Sequence, residues 1–121
     1  MVGRRLIALA LLAALAGCGP RPPQAPGPQA HRLNEALSRL STACGHAVEI
    51  QAFTNSARAM AVTEHQAQAQ VPALVAIYRQ DPGWVFQGKT VRQLVTMSAS
   101  YLDECGLHAA ARSLRESASG R

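Results

Sequence analysis

Five of the seven prolines in this chain fall between Gly19 and Ala30, in the stretch GPRPPQAPGPQA. No other feature restricts the fold as much. Proline fixes φ and removes a backbone donor, so a run this dense favours extended polyproline II over helix or sheet. The chain is thereby divided into an apolar leader, a tether and a remainder from His31 onward that must supply the core. At about 3.1 Å per residue the twelve residues of the tether reach roughly 35 Å. Proline-rich segments also dock in aromatic grooves. Nothing in this one selects a groove, and it reads as a spacer lifting residues 31–118 off a surface.

The remainder suffices for one small domain. Hydrophobic residues make up 48% of the chain, but alanine supplies much of that, and the only aromatics are Phe53, Tyr78, Trp84, Phe86 and Tyr101. A core with so few large side chains is thin and gains from a covalent staple. Eleven of the twelve basic residues are arginine, and those of the mature chain are scattered from Arg21 to Arg121 with neither a run nor aromatic interleaving. That distribution argues against a nucleic-acid partner. It is compatible with a weak preference for anionic lipid headgroups.

Residues 1–18 read MVGRRLIALALLAALAGC. Arg4 and Arg5 precede an uncharged apolar run from Leu6 to Ala16, the proportions of a signal-peptide core and too short for a membrane-spanning helix of about 20 residues. The end of this run, Leu15-Ala16-Gly17-Cys18, resembles position for position the lipobox of bacterial lipoproteins. The resemblance implies cleavage before Cys18, removal of residues 1–17, diacylglycerol on the Cys18 thiol and often a further acyl chain (palmitate-like) on its amino group. Several chains anchor stably where one holds only marginally. Loss of Arg4 and Arg5 lowers the formal charge from +5 to +3. Position 19 is Gly rather than the Asp that resembles an inner-membrane retention signal. In a Gram-negative cell the resemblance therefore favours the outer membrane, with the chain facing the periplasm. It covers the first 19 residues and implies nothing about the rest.

From His31 the pattern is helical. Leu33, Leu37, Leu40 and Cys44 share one face. Past Gly45, the series Ala47, Ile50, Phe53, Ala57 and Met60 keeps a helical spacing. We read one long helix to Ala69, kinked at Gly45, with a short strand over Ala47–Phe53 as the alternative. Pro72 suits the first turn of a second helix with Leu74, Val75 and Tyr78 inward. Asp81-Pro82-Gly83 makes a turn, and Trp84-Val85-Phe86 follows as a loop closed by Gly88. A third helix opens on a capping box of Thr90 and Gln93. It carries Val91, Leu94, Val95, Ser98, Leu102 and Cys105 on one face, and Gly106 suits the left-handed position after it. Leu107, Ala110, Ala111 and Leu114 mark a last short helix, before a frayed tail at 119–121. The expected fold is all-α, a bundle of about four helical segments.

With Cys18 assigned to lipid, Cys44 and Cys105 form an even pair in a compartment that permits disulfides. We expect them to bridge the first and third helices. A closed loop of about 60 residues corresponds to roughly 4 kcal/mol in the chain-entropy model. A redox pair would call for a C-x-x-C motif, which is absent; unpaired core thiols are the third reading.

His31, His46, His65 and His108 match no zinc pattern, and no motif for a nucleophile, a phosphate loop or a poised carboxylate pair occurs. We expect no catalytic residue, no metal and no cofactor beyond lipid on Cys18. Trp84 and Phe86 are either a lid on the small core or an exposed anchor for a partner. The reading that follows is a non-enzymatic envelope module, lipid-tethered and bound to a protein partner. A periplasmic domain for a small ligand or metal is the alternative, and an enzyme without a recognisable motif comes third.

Overall fold

The computed structural model describes residues 23–120. The segment read as a signal peptide, residues 1–17, and Cys18, expected to carry lipid, lie outside them. Among the described residues are five helices: α1 (Gly27–Phe53), α2 (Ala57–Gln68), α3 (Val71–Gln80), α4 (Val91–Glu104) and α5 (His108–Ser119). A two-stranded antiparallel hairpin, β1 (Val85–Phe86) and β2 (Lys89–Thr90), stands between α3 and α4. The fold is a small all-α bundle, as the periodicity predicts.

Three boundaries differ from the sequence reading. The tether does not run free to Ala30. Pro23 accepts a hydrogen bond from the Val85 amide at 2.9 Å, and the Ala25 amide donates to Val85 O at 3.0 Å. These bonds lay Gln24 parallel to β1, and α1 starts at Gly27 with a proline in its first turn. Proline is tolerated there because the first-turn N–H groups have no intrahelical partner.

The expected long helix is two helices, and the break is not at Gly45. That residue lies inside α1 on its exposed side, where the missing side chain costs some helix propensity and no packing. Residues 47–53 are helical, not a strand. The chain turns at Thr54–Ser56: Asn55 takes φ +47, and the Ser56 hydroxyl caps α2 by accepting from the Ala59 amide at 3.2 Å. Asn tolerates the left-handed region and Ser is a preferred N-cap, so three small polar residues end one helix and begin the next.

The third difference is the segment after Gly83. It is a hairpin rather than a loop, with Val85 opposite Thr90 and Phe86 opposite Lys89. Gln87 and Gly88 both have positive φ, +50 and +81, the two-residue primed turn whose twist matches paired strands.

The core runs through all five helices and is built from small side chains. Alanine supplies seven of its twenty buried apolar residues, and leucines 33, 40, 74, 102, 107 and 114 supply most of the bulk. Alanine at a contact lets helix axes approach closely, so a bundle with little large apolar volume can still pack. The second half matches the sequence reading closely. Both bonds of the Thr90–Gln93 capping box form. Gly106 has φ +89, and the amides of Gly106 and Leu107 close back on the carbonyls of Asp103 and Leu102 at 3.0 and 2.8 Å, a Schellman ending. On α5 the stripe Ala110, Ala111, Leu114 is buried, and the helix continues to Ser119.

Candidate functional site

Helices α1 and α4 run side by side in the same direction. Both start beside the hairpin, α1 through the pairing of residues 23–25 with β1 and α4 directly from β2. Toward their other ends the Cys44–Cys105 disulfide joins them, with α-carbons 5.4 Å apart. The bridge expected from the even cysteine count is therefore present.

Between the two helices lies an apolar groove of about 450 Å³. Its floor includes Leu37 and Leu40 of α1 and Leu94 of α4; Met97 and Tyr101 form its outer wall, and Ser41, Ser98 and Glu104 are among the polar groups along it. Leu40 is buried, whereas Met97 and Tyr101 keep 49% and 46% of their surface exposed. The site is an open trough with a flexible thioether and an amphipathic ring at its edge. Such side chains suit a surface that adapts to a binding partner.

The trough was partly legible. Leu94, Met97 and Tyr101 recur at spacings of three and four, a second apolar stripe beside the inward one through Val91, Val95 and Leu102. The sequence reading instead singled out Trp84 and Phe86. Both are half-buried and pack against the core. The most exposed aromatic of the described chain is Phe53, at 84%, at the end of α1.

Two polar clusters lie elsewhere, and both serve the helix ends. Glu64 of α2 reaches the amino end of α5, where Oε1 accepts from the amides of Ala109 and Ala110 at 2.6 and 3.1 Å. A carboxylate there satisfies otherwise unpaired donors and meets the positive end of the helix dipole. Asp103 of α4 bonds His108 Nδ1 at 2.9 Å and the Arg115 guanidinium, both on α5. Hydrogen bonds from His108 and then Arg115 hold its carboxyl below the ordinary aspartate range. All three side chains are substantially solvent-exposed, so the cluster is a surface clasp over the α4–α5 turn. His46 and Glu49, placed on one helix face by their spacing, line a shallow hollow between α1 and α2; the His–Glu pair that does meet is His31–Glu35, at 3.4 Å.

Among the described residues no three His, Cys, Asp or Glu side chains converge as a metal site. No described helix is long and apolar enough to cross a membrane. Searches of family models, curated proteins and solved structures find nothing that matches this chain.

Proposed function

We propose that this protein is a lipid-anchored, non-enzymatic module of the bacterial envelope. In this reading it is held at a membrane through Cys18, and it binds a protein partner through the groove between α1 and α4. The observation that carries the binding half is the groove itself, an open apolar trough walled by the half-exposed Met97 and Tyr101. Lying between two helices, it suits an apolar helix stripe laid along it. The anchoring half rests on the sequence, Leu15-Ala16-Gly17-Cys18 behind a basic and then an apolar segment.

A second reading is favoured by size. A trough of about 450 Å³ lies within the range of small-molecule sites, roughly 300–1,000 Å³, so an apolar small ligand is the alternative occupant.

The test is photo-crosslinking in intact cells, with the photoreactive residue at Met97 or Tyr101 and, as a control, at the exposed Gln66 on another face. One dominant protein adduct from the groove positions, absent from Gln66 and lost with Cys18→Ala, is the expected result. Equal labelling from all three positions would remove the groove from the proposal. No adduct, together with a co-purifying small molecule in native mass spectrometry, would favour the ligand reading.

A further inference from the structure

We infer that the hairpin end of the bundle docks on the anionic headgroups of the membrane that holds Cys18. This rests on the lipid-anchor reading and adds to it an orientation. Backbone hydrogen bonds tie Pro23 and Ala25 to Val85, so the domain begins at Pro23 and not at the end of the proline-rich stretch. Cys18 is five residues before Pro23. Even fully extended, five residues span at most about 18 Å. The 27-residue helix α1 is about 40 Å long by comparison. A lipid on Cys18 therefore keeps the strand pairing at Pro23, and with it the hairpin and the starts of α1 and α4, within about 18 Å of the lipid-bearing residue.

The charges favour this end against the bilayer. From Arg79 to Arg92 the chain carries Arg79, Lys89 and Arg92 against the single carboxylate of Asp81, whose Oδ1 is occupied by the Gly83 amide at 2.9 Å. Glu116, in the last turn of α5, and Glu35, near the start of α1 beside His31 and Arg32, are the other acids nearby. The turn residues Gln87 and Gly88, and Lys89 and Arg92 beyond them, are exposed. At the opposite end of α1 and α4 stand Glu49, Asp103 (paired to Arg115) and Glu104, with Arg58 at the start of α2. Basic groups near an anionic surface each raise partitioning roughly fivefold. The hairpin end then meets the headgroups, and the disulfide end with its acids points away.

The experiment is amide hydrogen exchange on the mature full-length protein, its mass first measured for lipid on Cys18, in phosphatidylglycerol-containing and in pure phosphatidylcholine vesicles. Amides from Phe86 to Arg92 should exchange about three- to tenfold more slowly on the anionic vesicles, while those around Phe53–Arg58 are unchanged. The double variant Lys89→Glu/Arg92→Glu, at two exposed positions outside the core, should abolish the slowing while the protein stays vesicle-bound. Equal hairpin exchange on both vesicles, with the lipid present, overturns the docking and leaves the anchor intact. An unmodified Cys18 in the mature protein overturns the anchor and the docking with it.

Discussion

The carboxylate of Glu64 sits on the amino end of a helix 45 residues further along the chain, 2.6 Å from the amide of Ala109. α5 has no side-chain cap of its own, since Leu107 occupies the N-cap, and Glu64 supplies what that residue cannot. Glu64→Ala should cost about 1–2 kcal/mol in urea unfolding. Glu64→Gln keeps an accepting oxygen and loses the charge, so it should cost less. Equal losses for the two variants would contradict the capping role.

Removing the disulfide should matter more than any single contact. The bridged cysteines are 61 residues apart, which corresponds to about 4 kcal/mol of loop entropy. Cys44→Ser/Cys105→Ser, or reduction of the native protein, should lower the thermal midpoint by well over 10 °C for a domain of this size. A shift of only a few degrees would mean that the Ala-lined contacts hold α1 and α4 together without the bridge.

Gly106→Ala combines two separable penalties. The residue has φ +89, and an added Cβ would lie 2.8 Å from Gln51 Nε2. The backbone part alone is about 1–2 kcal/mol. Gln51 also donates to Cys105 O at 2.8 Å, so pushing it aside breaks a bond across the α1–α4 junction. Introduced into a Gln51→Ala background, Gly106→Ala should cost measurably less than in the native chain. A double-mutant cycle with no coupling would show that only the backbone term operates.

Acid should open the α4–α5 clasp. Asp103 is held below its ordinary pKa of about 3.9 by His108 and Arg115. Its contribution is therefore complete above that value and is lost as pH falls through the lower folded pKa. Stability measured from pH 6 down to pH 2 should fall less steeply in Asp103→Asn. The same acid slope in both proteins would assign the loss to other carboxylates.

The two stripes of α4 should behave differently. Leu102 is fully buried, and Leu102→Ala should cost about 2–5 kcal/mol. Met97→Ala and Tyr101→Ala, at the groove wall, should each cost under about 1 kcal/mol while abolishing the crosslinked partner. Large destabilisation from either would place these side chains in the core's service.

What the sequence disclosed follows from the range of the interactions concerned. Thr90–Gln93, Gly106 and the α5 stripe are local patterns, each decided within a few residues, and all three are found as read. The disulfide was accessible because the two cysteines left over from Cys18 have few possible partners. The hairpin escaped because its strands are two residues long and its turn is Gln-Gly, not the usual Asn-Gly. The break at Thr54–Ser56 was signalled by Asn and Ser and hidden by an apolar spacing that continues across it to Met60. The Glu64 cap and the Asp103 clasp join residues distant in sequence, and no local pattern announces either. The groove falls between these cases: the Leu94-Met97-Tyr101 stripe is visible, but only the packing of α1 shows what it faces.

The pairing of Pro23–Ala25 with Val85 also decides how the domain responds to a pull. Tension arriving from the chain ahead of Pro23 meets two backbone hydrogen bonds to the hairpin before it reaches the first turn of α1. Those two bonds are the weakest connection on that path, because behind them stand the packed helices and a covalent bridge. Under load the strand contact should peel first, releasing a few residues of extra slack while the disulfide-tied α1–α4 pair keeps its shape. Single-molecule stretching from the amino terminus should register this release as a small early extension ahead of unfolding.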